Sequence, residues 1–112
     1  HARDDVAYTG THDNDTSLSW FAGASDAVRA RVLDYFGLPA EPMPAPLMRA
    51  ALASVGTLAI LPVQDVLWLD GTARMNTPGT LVGNWAWRLA SGQLQPEHAQ
   101  RLRGLLDLYG RA

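Results

Sequence analysis

A histidine and an aspartate stand side by side at His12-Asp13, directly behind the β-prone run Val6-Ala7-Tyr8-Thr9. A carboxylate at the exit of a buried strand, next to an imidazole, can present charge to a substrate. Asp13 is therefore the leading catalytic candidate. It could bind sugar hydroxyls and favour positive charge developing at an anomeric carbon. His12 could hydrogen-bond the same sugar. The competing reading is a loop cap, because Asp and Asn are common turn and cap residues. Asp15 fits a cap or turn role better than a chemical one. A second polar loop lies far downstream at Ala73-Arg74-Met75-Asn76-Thr77-Pro78-Gly79. Asn76 could bind a hydroxyl there, although Asn-Thr-Pro-Gly is also good turn chemistry.

Other residue types narrow the choice. Trp85 and Trp87 alternate, so they share one face of an extended segment. They could stack on a sugar, but packing in the core is the stronger expectation for them. Trp20, Phe21 and Trp68 are core candidates as well. The histidines at positions 1, 12 and 98 lack metal-ligand spacing, so neither metal nor cofactor is expected. Ser17, Ser25 and Ser54 lack a nucleophile elbow. No glycine-rich phosphate loop occurs. Cysteine is absent, which excludes thiol catalysis and disulfides.

These residues must be positioned by a chain of 112 residues, 47% hydrophobic, with a net charge of -2. That suits one small domain or part of a larger one. The charge gives no reason to expect nucleic acid or an anionic membrane as partner. The apolar run Leu58 to Val63 is strand-sized, and no run approaches membrane-spanning length. His1-Ala2-Arg3-Asp4-Asp5 is polar and does not read as a signal peptide, so a cytoplasmic protein is expected. The chain starts without Met and leads almost at once into a strand, which predicts a beginning inside a larger protein.

The periodicity predicts a first helix around Ser17 to Ala22, with Asn14 or Asp15 as its cap. A second runs from about Asp26 to Phe36 behind Ser25. It carries Val28, Val32, Tyr35 and Phe36 on one face and is stopped by Gly37 and Pro39. Pro39, Pro42, Pro44 and Pro46 read as a stiff linker. A third helix opens near Pro46, with Leu47, Met48, Ala51, Leu52 and Val55 as its apolar stripe, and Gly56 ends it. Thr57 to Leu61 reads as a buried strand closed by Pro62. A short helical turn through Val66 to Leu69 and a polar loop to Trp85 follow. The last helix spans about Pro96 to Tyr109, with Ala99, Leu102, Leu105, Leu106 and Tyr109 inward. Two strands separated by helices predict parallel pairing. Such a sheet needs cover on both faces, so the pattern reads as α/β, the last part of a βα-type barrel.

Four segments in register resemble the C-terminal part of the 4-alpha-glucanotransferase (amylomaltase) family of the α-amylase clan. They are Val6 to Thr16, Pro62-Val63-Gln64-Asp65-Val66-Leu67, Ala73 to Gly79, and Gly83-Asn84-Trp85-Ala86-Trp87-Arg88-Leu89. The resemblance runs from Val6 to about Arg103. It implies a (β/α)8 TIM barrel whose strand 7 enters the Tyr8–Asp13 motif and whose strand 8 lies near Thr57–Leu61. It also implies an enzyme that moves α-1,4-glucan segments between maltooligosaccharides through a covalent glycosyl-enzyme with retention. Asp13 then matches the transition-state-stabilising carboxylate, His12 a sugar-binding histidine at the cleavage point, and Asn76 a donor-side contact.

The nucleophile and the acid/base would lie before His1, and neither Asp4 nor Asp5 sits in a motif to replace them. The expected partners are therefore the glucan and the N-terminal part of the same enzyme. The piece alone is expected to be inactive, mostly helical with little sheet, and prone to self-association. Where the family carries small residues and Ser-Glu-Ala-Arg, this chain reads Trp68-Leu69-Asp70-Gly71-Thr72-Ala73-Arg74. Two rival readings are a non-catalytic helical module that binds glucan or protein, and a hydrolase of the same clan.

Overall fold

The computed structural model describes residues 5–37 and 41–111. Pro39, His1 and Asp4 lie outside these, so the stop assigned to Pro39 is outside the described residues too. The described chain is mostly helical, with one two-stranded sheet. In order come β1 (Val6–Tyr8), α1 (Ser17–Gly23), α2 (Asp26–Tyr35), α3 (Ala45–Ala53) and β2 (Leu58–Ile60). Then follow α4 (Val63–Val66), a 3-10 turn (Gly71–Ala73) and α5 (Pro96–Leu108).

The two strands pair in parallel, with Val6 opposite Leu58, Ala7 opposite Ala59 and Tyr8 opposite Ile60. Parallel pairing follows from the long crossover between them, since a tight hairpin cannot connect parallel strands. Alternation then sorts the side chains by face. Ala7 is buried, and α3 packs on both strands. Val6, Tyr8, Leu58 and Ile60 stay exposed on the other face. The expected burial of the second strand is thus corrected: Leu58 is 57% exposed and Ile60 53%. A strand of a parallel sheet is buried only when both faces are covered, and here one face is open.

The core gathers on α3, where Ala45, Met48, Ala51 and Leu52 are buried together with Met43, Leu67 and Leu105. Pro44 and Pro46 belong to this core. The proline run expected as a stiff linker is therefore packed into the core at its C-terminal end. Val55, expected on the apolar stripe, lies past the Ser54 cap and is exposed. Helix α2 begins at Ser25, whose hydroxyl accepts from the Val28 N–H as expected. Of its expected apolar face, Val28, Val32 and Phe36 are half-buried, whereas Tyr35 is 84% exposed. Gly37 ends it with φ +69, a conformation glycine adopts without steric cost. On α5, Leu105 is buried and Leu102, Leu106 and Tyr109 are half-buried, while Ala99 faces solvent. Arg111, just past α5, donates to Leu52 O, Ser54 O and Gly56 O and ties this helix to the end of α3.

Gly56 sits where the chain leaves α3 for β2. A Cβ there would lie 2.6 Å from Asp5 O, a backbone atom that no rotamer change can move. Gly56→Ala must therefore push the start of β1 away from β2. We expect a loss of about 1–3 kcal/mol, as for other overpacked sites. A lowered denaturant midpoint with unchanged slope would show it. An unchanged midpoint would mean that the strand pair yields freely at this point.

Candidate active site

The loop between β1 and α1 carries the His-Asp pair. It is shaped by local hydrogen bonds: Asn14 Oδ1 accepts from Thr11 N at 2.8 Å and from Thr11 Oγ1 at 3.0 Å, and Asn14 N donates to Thr11 O at 3.1 Å. Asn14 is thereby committed to the turn. The cap of α1 is Thr16, not Asn14 or Asp15, with its hydroxyl accepting from Ser19 N. Asp15 instead accepts from the Thr16 N–H at 2.8 Å.

The downstream loop meets this one. Asn76 Nδ2 donates to Asp13 Oδ1 at 2.6 Å, and Asn76 N donates to His12 O at 3.1 Å. His12 Nε2 lies 3.3 Å from the same Asp13 oxygen. Both side chains remain about half exposed, 56% for His12 and 48% for Asp13. The three residues singled out from the sequence are thus brought together at one carboxylate. Arg74, not singled out, joins the loops: its Nη2 donates to Asp13 O at 2.8 Å and its Nε to Asn76 O at 2.9 Å. Its position two residues before Asn76 in a polar loop was the one available signal.

A groove of about 580 Å³ opens beside the pair. That volume lies within the range of ordinary ligand pockets, roughly 300–1,000 Å³. His12, Asn14, Gln64 and Arg74 give it polar walls, while Tyr8, Ile60, Met75 and Trp85 give it apolar ones. Asp13 flanks this groove rather than lining it, its carboxylate engaged by Asn76. Trp85 corrects the expectation of a core residue. It is 61% exposed, and its ring lies 4.9 Å from that of His12, tilted by 37°. The shared face expected from alternation with Trp87 does not form, because Trp85 is left-handed at φ +57 rather than extended, and Trp87 does not line this groove. Trp87 itself is half-buried, and Trp20, also expected in the core, is 47% exposed.

Asp65, which the sequence shows only as one member of the Pro62–Leu67 motif, is the buried anchor of the site. It is 2% exposed at the floor of the groove. Its Oδ2 accepts from Thr9 Oγ1 at 2.5 Å and Ser17 Oγ at 2.8 Å, and its Oδ1 from Ser17 N at 2.9 Å. One buried carboxylate therefore joins the end of β1, the start of α1 and helix α4. Gln64 beside it donates to Ala73 O at 3.2 Å and holds the base of the Asn76 loop.

The loop that departs from the family pattern is shaped by other means. Asp70 caps the 3-10 turn by accepting from the Thr72 hydroxyl at 2.6 Å and the Thr72 N–H at 3.0 Å. The Thr72 hydroxyl first, and its N–H second, hold the Asp70 carboxyl below the usual carboxylate range. Trp68 takes φ +58 and lies under the Arg101 guanidinium at 4.5 Å. Among the described residues, no group of three His, Cys, Asp or Glu side chains is placed to hold a metal ion. Among the described residues no helix is long and apolar enough to cross a membrane.

Comparison with known proteins agrees on one family. The chain is 50% identical over 108 residues to a 4-alpha-glucanotransferase from Thermus thermophilus, covering 91% of this chain and 22% of that protein. It is 41% identical over 116 residues to the chloroplastic/amyloplastic 4-alpha-glucanotransferase of Arabidopsis thaliana, covering 99% and 20% respectively. The chain thus spans about a fifth of the length of these relatives. Its fold superposes on an amylomaltase from Streptococcus agalactiae, solved in complex with acarbose. The TM-score is 0.94 at 32% identity, over 100% of this chain and 23% of that one. With the 4-alpha-glucanotransferase family model matching residues 1–95 as well, the chain belongs to the 4-alpha-glucanotransferase family.

Proposed function

We propose that the chain is the strand 7 to strand 8 segment of a (β/α)8 barrel. The whole enzyme cleaves an α-1,4-glucan and passes the released segment to another sugar hydroxyl. The observation that carries the reading is the convergence of Arg74 and Asn76, 61 and 63 positions downstream, on Asp13 beside His12. The parallel strand pair and its open apolar face support the barrel placement. Strands supplied by the rest of the enzyme would cover Val6, Tyr8, Leu58 and Ile60. Without them this face favours self-association of the isolated segment.

In the proposed mechanism Asp13 stabilises positive charge at the anomeric carbon. Its carboxylate stays in place because Asn76 donates to one oxygen. His12 and Asn76 bind the sugar at and before the cleavage point. A retaining reaction also needs a nucleophile and an acid/base about 5–5.5 Å apart. We assign both to the part of the enzyme outside this segment, because buried Asp65 is already committed to Thr9 and Ser17. Acarbose, present in the Streptococcus agalactiae structure, is expected to occupy the groove of the whole enzyme. The enzyme is assigned to the cytoplasm, whereas the Arabidopsis relative is named as a plastid form.

Incubation with maltotriose tests this. The whole enzyme should produce longer oligosaccharides, and the segment alone should produce nothing. Glucose and maltose alone would make the protein a hydrolase. Binding without any product would favour a non-catalytic module.

A further inference from the structure

We propose that the exposed indole of Trp85 is a stacking platform for a sugar ring of the glucan, next to the ring held by His12 and Asp13. This rests on the glucanotransferase reading above. Three observations point to it. First, Trp85 lines the groove beside His12 and is 61% exposed in this segment, so its apolar surface is open on the groove side.

Second, its backbone is held in an unusual state. Trp85 has φ +57, a left-handed conformation that is rare for a bulky side chain. Such a state persists only where the surroundings enforce it. Here Trp85 N donates to Met75 O at 2.6 Å. The neighbouring Asn84 is fixed by Thr77 N, which donates to its Oδ1 at 2.8 Å, and by its own Nδ2, which donates to Thr80 Oγ1 at 2.9 Å. The backbone that carries the ring is thus held before any ligand arrives, which lowers the ordering cost of binding.

Third, the groove is amphipathic in the way a pyranose is. The indole and Met75 offer apolar surface, while His12, Gln64 and Arg74 offer polar groups. A ring with C–H groups on its faces and hydroxyls on its rim can satisfy both at once. A flat apolar ligand would leave the polar groups unpaired.

The test is calorimetric titration of acarbose into the whole enzyme and its variants, each checked for an unchanged thermal transition. Trp85→Ala should weaken binding about tenfold, the upper range of an aromatic contact, and Trp85→Phe should retain most of the affinity. In a His12→Ala background Trp85→Ala should still cost about tenfold, because the contact is with sugar and not through the imidazole. Unchanged affinity of Trp85→Ala, or an effect that vanishes in the His12→Ala background, overturns the platform. If the parent enzyme still elongates maltotriose in that case, the family reading stands without it. A parent enzyme that neither binds acarbose nor elongates maltotriose overturns both.

Discussion

Asp13→Asn in the whole enzyme is expected to lower kcat by about a hundredfold or more, with little change in stability. The size follows from removing one group that stabilises charge developing in the transition state, roughly 10²–10³ in rate. The small stability effect follows from the contacts. Asp13 is about half exposed, so its charge is solvated in the ground state. An amide oxygen at position 13 can still accept from Asn76 Nδ2, so the loop junction survives. What is lost is the negative charge, which matters only when positive charge appears on the sugar. The loss should therefore fall on kcat and kcat/KM together rather than on KM. Asn76→Ala is the informative comparison, since it frees the carboxylate without removing it and should cost less than Asp13→Asn. Near-normal turnover of Asp13→Asn would remove Asp13 from the catalytic apparatus and leave the His-Asp pair as loop chemistry.

The parts of this site that were legible in the sequence are those written in local chemistry. Ser25 announced its helix because a hydroxyl before an apolar period caps nothing else. Parallel pairing of the strands was legible because the helical material between them is too long for a hairpin. The meeting of Asp13 and Asn76 was foreshadowed by two polar loops following two strands that pair in parallel, whose exits must lie at the same end. What stayed hidden depends on partners distant in the chain. Asn14 looked like a cap but was claimed by Thr11, which left the role to Thr16. Trp85 and Trp87 read as core because bulk apolar side chains are usually buried. Its backbone conformation instead turns Trp85 into the groove. Strand β2 read as buried because its apolar run demands cover, and that demand goes unmet on one face of this segment. Asp65 gave no signal of burial at all, since its donors come from 48 and 56 positions away.

That distance makes Asp65 the residue whose loss should unsettle the site most. Asp65→Ala in the whole enzyme is expected to lower stability by about 3 kcal/mol or more. The change leaves Ser17 N buried without its acceptor, and deprives Thr9 Oγ1 and Ser17 Oγ of theirs. Each hydrogen bond to a charged acceptor contributes about 1.5–3 kcal/mol, and the shared acceptor keeps the sum from being additive. Asp65→Asn should cost much less. Its amide oxygen can still accept from Ser17 N, and the hydroxyls of Thr9 and Ser17 can rotate to accept from the amide NH₂. Thr9→Val removes one donor together with its need and should be milder than Asp65→Ala. The effect should also reach catalysis, because Thr9 and Ser17 bracket the loop that carries His12 and Asp13. Slack at both ends lets the Asp13 carboxylate wander, and in the proposed mechanism small misplacements are costly in rate. Asp65→Ala should therefore lower both the urea midpoint and kcat, whereas Asp13→Asn lowers kcat alone. A urea midpoint for Asp65→Ala that matches the parent enzyme would show that the loop is held by Arg74 and Asn76 without the buried carboxylate.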